Sequence, residues 1–156
     1  MSKTRKQILR DPDFRFNVKE FVCPHIYERF GDSSLNYLDK DLLEVVLWIR
    51  KTLGKPMTIN NWGSGKSYSQ RGMRCNLCPE VKSKTKAYLS AHVLGQAVDF
   101  DVHGMTATEV RKWIDDHKDQ LPHNIRLEKT SGGVECTWVH LDVRNETPDN
   151  IVYFNA

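Results

Sequence analysis

Long apolar runs are missing from this sequence. The longest, Leu42–Ile49, spans eight residues and carries Glu44 inside it, whereas a membrane-spanning helix needs about 20. No secretory leader is expected either, since Met1 to Arg10 is polar and basic, with no apolar centre. Cysteine is scarce, with 4 in 156 residues. That excludes a disulfide scaffold, and without a leader reduced thiols are the expectation. A strong excess of one charge is also absent. Lys plus Arg is 23 against 20 for Asp plus Glu, a formal charge of +3. This suits an anionic partner without calling for nucleic acid. Internal repeats and low-complexity tracts are absent as well.

What is present describes one domain. A chain of 156 residues buries about 70% of its unfolded surface, so it needs no metal or disulfide merely to fold. Residues 1–12 read as a flexible basic lead, and residues 13–156 as the domain. Asp11-Pro12-Asp13 signals a turn. Asn17 with Glu20 three residues on forms a capping box for a short helix that Pro24 is expected to end.

The clearest helix runs from about Asp39 to Leu53. Leu42, Leu43, Val46, Leu47 and Ile49 give it an apolar stripe, acids sit at its start, Arg50 and Lys51 at its end, and Gly54 stops it. Pro56–Asn60 and Ala97–Val102 read as strands, and Thr106, with Glu109 three residues on, or Thr108 caps a helix through about Lys118. Asn124–Lys129 and Val134–Arg144 flank the turn sequence Thr130-Ser131-Gly132-Gly133 and read as a hairpin. The sum is an α+β fold, a small antiparallel sheet with helices packed on one face.

Between these elements lies a long aperiodic stretch, Asn61 to Leu89, rich in Gly, Ser, Lys and Arg. Such stretches inside compact domains are usually functional or disordered. It contains Cys75-Asn76-Leu77-Cys78. A Cys-x-x-Cys pair can hold zinc or cycle as a disulfide. A structural zinc needs two further ligands, which Cys23 and a histidine could supply, but nothing local shows it. Free thiols are the reading adopted, with Lys82, Lys84 and Lys86 as a solvated face.

Three residues form a candidate site: His92, Asp99 and His140. Two imidazoles and a carboxylate are a set that catalytic zinc accepts, with a fourth position left for water. His92 and Asp99 are seven apart, too far for two ligands on one helical turn. A turn at Gly95 into the strand would let them converge, with His140 arriving from a neighbouring strand. Asp99 lies between Val98 and Phe100, where a buried carboxylate is costly unless paired or metal-bound. His25, His103, His117 and His123 read as surface or satisfied core residues.

Ser90-x-His92-x-x-Gly95-x-Ala97-x-Asp99, followed by Trp138-x-His140, resembles the signature of the zinc D-alanyl-D-alanine carboxypeptidase family. That family includes phage endolysins that cut L-alanyl-D-glutamate bonds, and its metal site is similar to that of the hedgehog signalling domain. Phe16–Phe21 and Lys55–Asn60 resemble further stretches of the family, so the likeness runs from about Phe16 to Arg144. It implies that the sheet carries zinc on His92, Asp99 and His140, making residues 13–156 a zinc peptidase domain. The implied reaction is hydrolysis of peptide bonds in peptidoglycan stem peptides, for cell-wall lysis or remodelling.

The resemblance leaves the general base open. The family usually places an acid shortly before the second histidine, but Thr137 stands three before His140. Glu128 and Glu135 compete for the role. With Val139, Leu141 and Val143 facing the core, His140 faces the other side together with Arg126 and Glu128, near Cys136 and Trp138. Glu135 has core parity and needs a bulge to reach the metal.

For substrate, Arg71 is the first candidate to fork onto a peptide carboxylate and Arg74 the second. Ser90 and Trp138 either line the cleft or serve structure. The alternative function is a catalytically silent zinc-containing module of the same fold that binds cell wall or protein. The expected protein is a monomer without nucleic-acid partners or a membrane span. It is cytoplasmic until released to the wall, which suits phage or prophage coding.

Overall fold

The structure is a computed structural model, and it describes residues 2–156. In chain order the elements are α1 (Arg5–Leu9), α2 (Pro24–Phe30), α3 (Lys40–Leu53), β1 (Met57–Thr58), α4 (Pro79–Lys82), β2 (Ala97–Val102), α5 (Ala107–Asp116), β3 (Ile125–Ser131), β4 (Val134–Glu135), β5 (Val139–Asp142) and β6 (Ile151–Asn155). The fold is α+β. The sheet order is β1-β2-β5-β3-β4, all antiparallel, and β6 adds to β3 in parallel.

Local chemistry explains the helices. Asp39 caps α3, accepting a hydrogen bond from the Asp41 amide, and Gly54 ends it in the left-handed conformation at φ 67°. Thr106 and Glu109 close a full capping box on α5. Asn17 and Glu20 do the same, but for a single 3-10 turn, Val18–Glu20. Pro24 does not end that turn's helix. It opens α2 at the first helical position, where its missing N–H costs nothing.

The lead also differs from expectation. Residues expected to be flexible form α1, whose Ile8 is fully buried in the core. Thr4 and Gln7 cap that helix, and Arg5 donates to the Leu35 carbonyl at 2.8 Å. Met1 lies outside the described residues.

The core gathers Leu42, Leu43, Val46 and Ile49 of α3, Val110 and Ile114 of α5, and one face of the sheet. That face is Val98 and Phe100 of β2, Ile125 and Leu127 of β3, and Val139 and Leu141 of β5. Alternation therefore turns Asp99, Arg126, Glu128, His140 and Asp142 to the opposite face.

The expected strand 134–144 is broken in two. β3 pairs with β4 as Thr130↔Glu135 and Ser131↔Val134. Continuing that register would set Arg126 opposite Val139, yet Arg126 faces Asp142, three residues further on. Cys136, Thr137 and Trp138 take up the difference as a bulge. Buried Arg111 of α5 clamps it, donating to the carbonyls of Cys136 and Trp138, each at 3.2 Å. Three is odd, and the side-chain period is two, so the bulge places His140 and Asp142 on the same face as Glu128.

Candidate functional site

The open face of the sheet forms a cleft of about 610 Å³ whose lining includes His92, Asp99, Glu128, Trp138, His140 and Asp142. Asp99 and His140 are direct partners across the β2–β5 ladder. His92 comes from the turn before β2. Gly95 completes that turn at φ 68°, packed so closely that a β-carbon there would lie 2.6 Å from the Tyr37 carbonyl oxygen. Only glycine suits both demands.

Three donor atoms converge. His92 Nε2 is 3.3 Å from Asp99 Oδ1 and 3.3 Å from His140 Nδ1, and His140 Nδ1 is 2.8 Å from Asp99 Oδ1. Ligand bonds of about 2.0–2.2 Å to a tetrahedral zinc imply edges of roughly 3.3 Å between donors. Two edges match, and the third is drawn in to hydrogen-bond length. The donor set therefore fits zinc in chemistry and in spacing.

The outer partners fix which nitrogen of each ring is free. His92 Nδ1 donates to the Gly72 carbonyl at 2.9 Å, leaving the Nε2 lone pair for the cleft. His140 Nε2 donates to Asp142 Oδ2 at 3.1 Å, so Nδ1 is the nitrogen that faces Asp99; it donates there when the ring is protonated and offers its lone pair once the ring is neutral. Asp142 is fully buried and held by Arg126 through two contacts of 2.8 Å each. Such partners orient ligating imidazoles and raise their basicity. Gly72 is required by close approach, since a β-carbon there would sit 2.2 Å from the Phe21 carbonyl oxygen.

Burial pushes the His140 imidazole down, but hydrogen bonds to Asp142 and Asp99 outweigh it and raise its pKa to about 9. Burial pushes Asp99 up, and His92 and His140 beside it bring it well below the usual carboxylate range. Asp142 ends at about 2: burial works against ionisation, and the bonds from His140 and Arg126 overcome it. Glu128 goes the other way, raised mainly by burial.

The competing acids separate cleanly. Continuing the β3–β5 register sets Glu128 opposite His140, further along than Cys136 and Trp138, and it lines the cleft. Glu135 is not brought to the cleft. It is exposed on β4, bound to Thr108 Oγ1 at 2.5 Å and to Arg111 at 3.0 Å. The bulge lies after Glu135, so it leaves that carboxylate at the α5 edge.

The arginines reverse their expected order. Arg71 is engaged elsewhere, paired with Asp101 at 2.5 Å and stacked on Tyr68, 3.7 Å from the ring centre. Arg74 lines the cleft, with one nitrogen 3.5 Å from Asp99 Oδ2. Ser90 also lines it, while its hydroxyl accepts from the Val93 amide at 3.3 Å to cap the turn. Trp138 is half-buried at the cleft edge, with its carbonyl in the Arg111 clamp. Sequence reasoning missed Phe154, whose ring stands edge-on to His140 at 5.6 Å. The signal was the apolar run Ile151–Phe154 that forms β6.

A second donor set lies outside the cleft. Cys23, His25, Cys75 and Cys78 each offer an atom within 4.8 Å of the others, a combination compatible with zinc. His25 is thus not the isolated histidine expected, and the thiols are clustered. His117 and His123 are satisfied as expected, by the Trp113 carbonyl and by Glu44.

Comparison with protein-family models, curated proteins and solved structures returns no match for the chain. Among the described residues no helix is long and apolar enough to cross a membrane.

Proposed function

We propose that the chain is a zinc-dependent peptidase acting on peptidoglycan stem peptides. The observation that carries the reading is the convergence of His92 Nε2, Asp99 Oδ1 and His140 Nδ1 on one point of a cleft that also holds a buried carboxylate, Glu128. Those three atoms would hold the metal. Bound zinc supplies a water acidified toward neutral pH and a Lewis acid for the scissile carbonyl.

The chain's own residues supply the rest. Gly72 and Asp142 keep one lone pair of each imidazole aimed into the cleft. Glu128 accepts the proton of the attacking water and returns it to the departing amide nitrogen. Its raised pKa suits both halves of that task. Arg74, Lys84 and Arg144 line the same cleft and offer positive charge to the carboxylates of a stem peptide. The cleft volume is within the range of small-ligand sites, roughly 300–1,000 Å³.

The test pairs metal analysis with a peptidoglycan digest read by mass spectrometry, wild type beside His140→Ala. Zinc bound at the cleft, with stem-peptide fragments from the wild type alone, supports the peptidase and identifies the bond. Zinc at the cleft without fragments from several wall types replaces it with a silent binding module. A cleft that takes no zinc overturns both readings.

A further inference from the structure

We propose that Cys23, His25, Cys75 and Cys78 form a second, structural zinc site that ties the long loop to the N-terminal segment. It needs nothing from the peptidase reading. The donors come from two segments about fifty residues apart: Cys23 Sγ lies 3.7 Å from Cys75 Sγ, and His25 Nδ1 lies 3.6 Å from Cys75 Sγ and 3.9 Å from Cys78 Sγ. Bonds of about 2.3 Å to sulfur and 2.0–2.1 Å to nitrogen give tetrahedral edges of roughly 3.8 Å between sulfurs and 3.6 Å between sulfur and nitrogen. The observed spacings sit within a few tenths of these values. Four protein donors fill a tetrahedron, which is the arrangement of structural rather than catalytic zinc.

The backbone around the sulfurs is built for thiolates. The Cys75 amide donates to Cys78 Sγ and the Leu77 amide to Cys75 Sγ, both at 3.4 Å. Hydrogen bonds to the charged form favour it, and the thiolate is the ligand. Cys23 and Cys78 are fully buried, and all four cysteines are free of disulfides. Each of these two stands as the N-cap of a short helix with proline next, yet neither uses its side chain to cap. Their sulfurs point to the cluster instead.

The site has a mechanical consequence, whose bearing on function rests on the peptidase reading. Residues 71–75 run between the two donor sets. The Met73 amide donates to Phe21 at 2.7 Å, and the Cys23 amide donates to Met73 at 3.0 Å. On the other side the Arg74 amide donates to His92 at 3.2 Å, the Asp99 amide donates to Arg71 at 2.7 Å, and the Gly72 carbonyl holds the His92 ring. An ion on the cysteines therefore braces the strand of loop that orients a cleft histidine.

The experiment counts metal in protein purified under reducing conditions with zinc supplied. The His92→Ala/His140→Ala double variant should keep one zinc, and a mercurial thiol reagent should release it. Cobalt substituted into the same variant should show thiolate-to-metal charge-transfer absorption. Cys75→Ser/Cys78→Ser should lose this zinc while the cleft histidines stay intact. If that variant fails to fold, the mercurial and cobalt readouts on the histidine variant decide alone. A histidine variant without zinc, or one whose cobalt spectrum shows no thiolate band, overturns the site. Zinc that survives loss of the histidines but not of the cysteines supports it even if the cleft proves metal-free.

Discussion

Asp99 and His140 face each other across two antiparallel strands, with the carboxylate 2.8 Å from the ring nitrogen. A buried pair at that distance is held by its charges and by the ladder at once. The strands fix where the two side chains start, and the 2.8 Å contact fixes how they turn. Any cation entering the cleft meets donors already set in place by the sheet.

Glu128 is the residue on which turnover should depend. Glu128→Gln should lower the peptidase rate by about 10²–10⁴ while zinc content stays that of the wild type. Glu135→Gln should leave the rate unchanged. Rates near wild type for Glu128→Gln would exclude it as the base. The acid limb of the pH–rate profile should lie above the ordinary glutamate value of 4.5, because burial raises Glu128. For stability, a raised carboxylate is a liability above its folded pKa that fades as pH falls through it. Glu128→Gln should therefore melt no lower than wild type at pH 8, with the difference shrinking in acid.

Asp142 should act through His140. Asp142→Asn keeps the shape but weakens the acceptor for His140 Nε2 and strips charge from the Arg126 contact. Zinc affinity at the cleft should fall about 10–100-fold, as for other outer partners of metal-bound histidine. Competition with a chromogenic chelator measures it. Unchanged affinity would mean that Asp142 serves the sheet alone.

Arg74 and Arg71 should part ways kinetically. Arg74→Ala should raise KM for a stem peptide by roughly tenfold with a smaller effect on kcat, the pattern of lost substrate binding. Arg71→Ala should chiefly lower the melting temperature, since its partners Asp101 and Tyr68 belong to the scaffold.

Glu44 offers a pH test far from the cleft. Burial opposes its ionisation, and bonds from Lys3, His123 and Ser2 overcome that, bringing it from 4.5 to about 2. Stability from a depressed carboxylate is full above the unfolded value and is lost as pH falls through the folded one. Glu44→Gln should cost on the order of 2 kcal/mol at pH 6. The cost should shrink between pH 4.5 and pH 2 in denaturant melts.

Gly72→Ala should be among the most damaging small changes, at about 2–3 kcal/mol. Its β-carbon would press on the Phe21 carbonyl, which accepts from Met73. Thermal melts read the cost, and a stability within experimental error of wild type would contradict the close approach.

Much of the positioning was legible because it depends on local rules. The α3 caps, β2 and the α5 box follow from residue type and spacing. The pairing of Asp99 with His140 was open to reasoning because each lies on a strand with clear alternation. The set of three cysteines and His25 was legible only as an option, passed over for free thiols: half of it lies in an aperiodic loop, and only tertiary folding brings Cys75 to Cys23. The placement of Arg71 and Arg74 was hidden for a similar reason, since two cations three residues apart look alike until their partners are known.

The bulge at Cys136–Trp138 gives the hairpin something like a reading frame, with a period of two rather than three. Substitutions there should be absorbed as long as the Arg111 clamp on the two carbonyls persists. Changes of length should not. Removing one residue while the three-residue bulge is kept would move His140 into the place of Val139, opposite Lys129, and turn it toward the core. Removing two would restore the facing but slide His140 along its neighbours, away from Asp99. Across variants of this chain, the number of residues in that short segment should matter more than their chemistry.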